Sequence, residues 1–156
     1  SLSLDQLANI YQGTIDSWVG VGGNSGKIDI MARAPSSGTR EVWNQVILKS
    51  SKGREDWVIR DSNSGVVAYV AEHPEAIGYV SLAIVNHEIK VLSVGGVPPS
   101  IDTAKARKYP VSRQLYLYVD EKTLSYPVKS LIVFVLSDQG QQIVTRSGFI
   151  PQDTLK

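Results

Sequence analysis

Apolar and polar residues alternate along the chain with two different periods. Between residues 3 and 12, Leu7, Ile10 and Tyr11 recur at helical spacing, and Gly13 follows as a stop signal. Ser3 and Gln6 have the spacing of a capping box at the start of this helix. The same patterns predict strands at residues 27–33, 77–80, 89–94 and 114–119, and helices at residues 39–48, 66–72, 100–107, 127–136 and 138–147.

Strands that alternate with helices predict an α/β fold in which helices pack against a sheet. Tyr109 and Pro110 interrupt this alternation. After them the chain becomes rich in strong β formers such as Leu115 and Tyr116. We therefore expect two segments, residues 1–108 and residues 109–156.

The composition is that of an ordinary globular protein, with 42% hydrophobic residues, 20% charged residues and a net charge of +1. Lysines and arginines are scattered, so no basic stripe suits nucleic acid, and we expect no nucleic-acid partner. The absence of cysteine excludes disulfides and thiolate catalysis. His73 and His87 have no acidic residues at metal-ligand spacing, so neither a metal nor a cofactor is expected.

The stretch from residue 33 to residue 40 follows a predicted strand and opens a predicted helix. A helix start offers unpaired N–H groups and the positive end of the helix dipole, which together favour an anion. Gly38 allows close backbone approach, and Ser37 and Thr39 add hydroxyl donors. Arg33 could present a planar fork of donors to two oxygens of one oxyanion. A simple helix cap remains the competing interpretation, since Ser and Thr commonly occupy that position.

Several motifs occur in an order and spacing that identify a family. They are LDQLANIY at residues 4–11, Arg33 with SGTR at residues 37–40, SNSG at residues 62–65, AIGYV at residues 76–80, GVPPS at residues 96–100, and YPVSR at residues 109–113 followed by LYLY at residues 115–118. Through these motifs the chain resembles the periplasmic phosphate-binding proteins of phosphate ABC transporters, which are type 2 solute-binding proteins. The resemblance extends almost from one end of the chain to the other.

The resemblance implies a three-layer α/β lobe with a mixed sheet. In the family two such lobes close on a phosphate ion, without a metal, and this chain corresponds to the second lobe with the first lobe missing. The phosphate ligands that the resemblance implies are Arg33, Ser37, Gly38 and Thr39. It also implies that Ser64 and Gly65, at another helix start, lie along the cleft.

Two departures from the family pattern bear on the site. Pro35 stands where the family often has an acidic residue beside the arginine, which affects how the charge of Arg33 is balanced. The first lobe supplies the carboxylate that accepts the proton of monohydrogen phosphate and so rejects sulfate. Without that lobe sulfate, molybdate and tungstate stay open as ligands, and we expect the chain alone to bind phosphate weakly.

The predicted function is therefore the binding of inorganic phosphate, or a related tetrahedral oxyanion, and its delivery to an ABC permease in the membrane. The corresponding location is the periplasm or the cell surface. Ser37 lacks the glycine spacing of a nucleophile elbow, so we expect no enzyme. The alternative is a sensor or interaction module of the same fold that does not serve transport.

The final segment carries apolar side chains that need a partner. In the family this segment returns to the first lobe, and here its apolar residues are Leu131, Ile132, Val135, Leu136, Ile143 and Val144. A contiguous exposed apolar patch of this kind is unusual for a monomer. Three ways of burying it stay open: these faces fold onto this lobe, pair with a second copy of the chain, or cover a separate chain that carries the missing first lobe. We expect the isolated chain to self-associate. No signal peptide is expected within the chain, and because it opens at Ser1 and not at Met, we expect it to be a trimmed or excised piece.

Overall fold

A computed structural model describes residues 1–49, 51–120, 122 and 124–152. The chain forms two units, Ser1–Arg113 and Gln114–Lys156. The helices of the first unit are α1 (Leu4–Gln12), α2 (Gly38–Trp43), α3 (Asn63–Glu72) and α4 (Ile101–Lys105), with shorter 3₁₀ turns at Trp18–Val21 and Leu82–Ile84 and a π-helical segment at Asn44–Leu48. The second unit contains α5 (Tyr126–Leu136) and α6 (Asp138–Arg146).

A small parallel sheet lies at the centre of the first unit. Its strands are β1 (Asp29–Arg33), β2 (Val58–Arg60) and β3 (Ala76–Ile77), in the spatial order β2-β1-β3. Both neighbours run parallel to β1. The sheet was expected to be mixed, but antiparallel pairing among the described residues is limited to isolated bridges. Parallel neighbours follow from the connections, because a helix-containing crossover separates each strand from the next.

Helices cover both faces of the sheet, as the predicted three-layer fold requires. Successive side chains of β1 point to opposite faces. Ile30 and Ala32 join one buried cluster, which includes Ile10 and Tyr11 of α1. Met31 joins the other, which includes Val66 of α3. The α/β class and the three layers predicted from the sequence are therefore confirmed.

The caps predicted at the starts of α1 and α6 are confirmed. The side chains of Ser3 and Gln6 form the reciprocal bonds of a capping box at the start of α1. Gly13 ends that helix with a φ of 87°, in the left-handed region that glycine adopts without strain. Ser137 caps α6, whereas Ser62 caps α3, so that helix begins at Asn63, three residues before its predicted start.

Two predicted strands are wrong. Residues 89–94 form no strand, and Val94 makes only isolated bridges, because Gly95 and Gly96 turn the backbone sharply after it with φ values of 60° and 79°. Residues 114–119 are also unpaired, since none of the described residues supplies a neighbouring strand, and Tyr118 is 91% exposed. The strand predicted at residues 77–80 is shorter and lies at Ala76–Ile77.

The two helices of the second unit leave much apolar surface uncovered by the described residues. The exposed side chains on α5 and α6 are those of Tyr126, Val128, Leu131, Val133, Phe134, Leu136 and Ile143. Ile132, Val135 and Val144 are half-buried. Among the described residues, no helix combines the length and the apolar character needed to cross a bilayer.

Buried tyrosines make the first unit sensitive to alkali. Burial raises the pKa of Tyr11 well above its ordinary value, and the neighbouring Tyr79 raises it further. Burial also raises the pKa of Tyr79, although the hydrogen bond from the backbone N–H of Arg33 lowers it in part. Above the ordinary value of about 10 the unfolded chain loses these protons while the folded chain keeps them. The free energy of unfolding should therefore fall with rising pH, by at most about 1.4 kcal/mol per pH unit for each such tyrosine.

Urea unfolding followed by tryptophan fluorescence, between about pH 8 and pH 11, measures this slope. Tyr11→Phe removes one titrating group and should make the decline with pH shallower. An identical decline in the variant would show that Tyr11 does not contribute.

Candidate functional site

Two helix starts meet at one edge of the sheet. Because β1 and β2 are parallel and Arg33 pairs in register with Arg60, their carboxyl ends lie side by side. Helix α2 begins at Gly38 after β1, and α3 begins at Asn63 after β2. In open α/β sheets, ligands bind in the crevice outside the carboxyl ends of the strands. The fold therefore brings both sequence motifs suspected of ligand binding to the edge where such sites form.

Arg33 ends β1 and is held at both its side chain and its backbone. Its Nη1 donates a hydrogen bond to Oδ1 of Asn63, and its Nη2 donates to the carbonyl of Asp61 at 2.8 Å. Its backbone N–H donates to the hydroxyl of Tyr79 at 3.3 Å. Its carbonyl accepts from Nη1 of Arg40 at 2.8 Å. These contacts fix the guanidinium beside the start of α3.

The guanidinium of Arg33 keeps donors that the described residues do not use. A guanidinium carries five N–H groups, and the contacts with Asn63 and Asp61 use two of them. Nε of Arg33 is buried and has no acceptor among the described residues. A buried donor without an acceptor is rare and calls for a partner. The partner that such donors fit is an electron-rich oxygen.

The charge of Arg33 is not neutralised within the part of the chain that the structure describes. No carboxylate there forms an ion pair with it. Its two side-chain partners are an amide oxygen and a backbone carbonyl, both neutral. Pro35 supplies no acidic side chain beside Arg33. The guanidinium is held instead by the neutral oxygens of Asn63 and Asp61.

The start of α2 is capped by Ser37, whose hydroxyl accepts a hydrogen bond from the backbone N–H of Arg40 at 3.4 Å. Ser37 is therefore a helix cap, as the competing interpretation of this motif predicted. Thr39 lies in the first turn, and none of the described residues bonds its hydroxyl. A Cβ on Gly38 would lie 2.6 Å from Nη2 of Arg113, so a larger residue there would require this flexible guanidinium to shift.

Arg113 brings a second guanidinium to the start of α2. Its Nη1 lies 3.4 Å from Oε2 of Glu41, which is in the first turn of that helix. Arg113 is not among the predicted ligands, although it closes the YPVSR motif. No local pattern in the sequence points to a contact across 72 residues.

The start of α3 is capped by Ser62, whose hydroxyl accepts from the backbone N–H of Gly65 at 3.0 Å. The hydroxyl of Ser64 lies 3.1 Å from that of Ser62. Arg33 contacts this segment through Asn63, and hydrogen bonds that join its guanidinium to residues 37–39 are absent among the described residues. Sequence reasoning missed Asn63 and Asp61 because their role depends on a strand pairing that the sequence does not reveal. Within the described ranges, no group of three or more His, Cys, Asp or Glu residues could hold a metal ion.

The comparisons with known proteins agree with this architecture. The family described as "PBP superfamily domain" matches residues 1–139. The chain belongs to this superfamily.

Its relatives include the phosphate-binding protein PstS of Borreliella burgdorferi, at 29% identity over 96% of this chain and 58% of the relative. Another is PstS of Bacillus subtilis, at 29% identity over 99% of this chain and 52% of the relative. A solved structure of a putative phosphate ABC transporter substrate-binding protein from Clostridium perfringens, with bound phosphate, matches with a TM-score of 0.85 and 30% identity. That match covers 97% of this chain and 63% of the other. The chain therefore spans little more than half the length of these relatives.

Proposed function

We propose that the chain binds inorganic phosphate, or a related tetrahedral oxyanion, at the carboxyl edge of its sheet. The observation that carries this proposal is the guanidinium of Arg33, which is fixed beside a helix start, is not neutralised by a described carboxylate, and has a buried donor without an acceptor. Arg33 supplies charge and N–H donors to the oxyanion. Ser37 and Thr39 supply hydroxyl groups, and Gly38 supplies a backbone amide.

The relatives support phosphate as the ligand. Those compared are named as phosphate-binding proteins, and one solved relative holds phosphate. The proposed role is that of a binding module without catalysis. It lies in the periplasm or at the cell surface and delivers phosphate to an ABC permease in the membrane. Ser64 and Gly65 line the same edge in this proposal. A sensor that does not serve transport is not favoured by these relatives, since their names refer to phosphate binding and transport.

The chain by itself should bind phosphate only weakly. It spans about half of the length of the relatives, so the remainder of their fold can supply further donors around the anion. An open site also leaves the anion and Arg33 screened by water, which weakens their attraction. We expect a dissociation constant in the millimolar range, equivalent to about 4 kcal/mol.

Replacing Arg33 with glutamine tests the proposal directly. Arg33→Gln removes the charge and the fork of donors, and it should weaken phosphate binding by about tenfold or more, since hydrogen bonds to charged groups are worth about 1.5–3 kcal/mol. Titration of the chain with inorganic phosphate, followed by the amide signals of residues 37–39 and 62–65 in NMR spectra, measures the change.

The matched control is Arg107→Gln, which removes the same charge from an exposed residue after α4. It should bind phosphate as the wild-type chain does. Equal affinities for the wild-type chain and Arg33→Gln would refute the assignment of Arg33. An absence of saturable shifts in the wild-type chain at several tens of millimolar phosphate, which is well above the expected constant, would refute phosphate binding by this chain.

A further inference from the structure

We propose that Asn63 is a positioning residue for this site: its neutral amide oxygen directs the guanidinium of Arg33 and leaves the positive charge available to the anion. The inference rests on the proposed function, and it adds a determinant of anion affinity that lies outside the predicted ligand set. The carbonyl of Asp61 assists by holding the second terminal nitrogen.

The geometry gives Asn63 control over the direction of Arg33. The guanidinium is a rigid plane, so fixing both terminal nitrogens fixes the direction of every remaining N–H group. Asn63 holds Nη1, and Asp61 holds Nη2 at 2.8 Å. The backbone N–H of Arg33 donates to the hydroxyl of Tyr79 and its carbonyl accepts from Arg40, and these bonds prevent the strand end from shifting. Two groups hold the guanidinium, the side chain of Asn63 and the backbone carbonyl of Asp61. Only the group on Asn63 can be changed chemically by a substitution.

The charge at position 63 decides how strongly Arg33 attracts an anion. A carboxylate there would accept the same hydrogen bond more strongly, but it would also neutralise the guanidinium. Asn63 keeps the hydrogen bond and adds no charge. Arg40 donates to the carbonyl of Arg33 at 2.8 Å, so the described groups that hydrogen-bond to Arg33 are neutral or positive. The charge of Arg33, which no described carboxylate compensates, therefore attracts an anion. An acidic residue at position 63 would neutralise that charge and weaken the attraction.

The substitution Asn63→Asp separates this role from a purely structural one. Aspartate has nearly the shape of asparagine, and Asn63 is the first residue of α3, where the helix dipole favours a negative side chain. The variant should therefore fold, with a melting temperature equal to or above that of the wild-type chain. Its affinity for inorganic phosphate should fall by about tenfold, because the ion pair competes with the anion. The dependence of binding on salt concentration should also become shallower.

Two further variants sharpen the test. Asn24→Asp makes the same change in net charge on an exposed loop residue and should leave phosphate binding unchanged. Asn63→Ala removes the anchor without adding a charge. If position 63 only supported the local structure, Asn63→Ala would weaken binding more than Asn63→Asp, which keeps the hydrogen bond. The proposal predicts the opposite order, with Asn63→Asp as the weaker binder.

The outcomes distinguish this inference from the proposed function. Phosphate binding by the wild-type chain that Asn63→Asp leaves unchanged would overturn the inference alone. The same applies if Asn63→Asp loses stability and affinity together, since that result indicates a structural role. If the wild-type chain shows no binding of inorganic phosphate, the proposed function fails, and this inference fails with it.

Discussion

Replacing Tyr11 with alanine should lower the free energy of unfolding of the first unit by about 3–5 kcal/mol, the range found for large aromatic truncations in protein cores. Tyr11 is completely buried. Its ring lies 4.7 Å from that of Trp43, 5.6 Å from that of Trp57 and 5.9 Å from that of Tyr79. Truncation opens a cavity at the point where all of these rings meet.

The three tryptophans of the chain lie in the first unit, so their fluorescence in urea follows this loss of stability. Tyr11→Phe is the matched control, because it keeps the ring and removes only the hydroxyl, which donates to the carbonyl of Met31 at 3.2 Å. It should cost about 1 kcal/mol. A loss of less than about 1.5 kcal/mol for Tyr11→Ala would mean that the surrounding rings collapse into the space.

The second large effect is expected at Gly140, near the start of α6. A Cβ at this position would lie 2.2 Å from the carbonyl oxygen of Phe134 and 2.6 Å from that of Val135. These are backbone atoms of α5, so no side-chain rotation relieves the overlap. Gly140→Ala should force the turn between α5 and α6 apart and destabilise the helix pair by about 3 kcal/mol or more, at the upper end of the usual cost of overpacking.

Hydrogen exchange of the α5 and α6 amides measures this effect, since no tryptophan lies in the second unit. Gln139→Ala, one residue earlier on the exposed side of α6, is the control and should leave exchange nearly unchanged. Protection factors in Gly140→Ala that match those of the wild-type chain would show that the turn can open at little cost.

The sequence predicts the helices better than the strands, for a physical reason. A helix is stabilised within its own segment, so Ser3, Gln6 and Gly13 are enough to place α1. A strand depends on a neighbour that the local sequence does not contain. The segment at residues 114–119 has strong β formers but no described partner, whereas the three residues of β2 pair with β1 although they give hardly any local signal.

The candidate site was predictable in part. The residues after β1 stand out because a strand, a serine-glycine-threonine turn and a helix follow one another. The contact between Arg33 and Asn63 spans 30 residues and exists because β1 and β2 pair in register. The family pattern suggests Arg33, but only the pairing shows that, within the described part of the chain, neutral oxygens hold it. Whether Ser37, Gly38 and Thr39 contact the anion stays a prediction.

The strand order also sets the sequence of events during synthesis. The central strand β1 leaves the ribosome before either of its neighbours, since β2 and β3 follow it along the chain. Its backbone N–H and C=O groups cannot form the first parallel pairing until residues 58–60 have been synthesised. Among the described residues, α5 packs against α6, its neighbour along the chain, and such local contacts form early once both helices are synthesised. The slow step in the first unit should therefore be the closure of the β1–β2 crossover, and a nascent chain that ends before residue 58 would expose β1 to chaperones or to other chains.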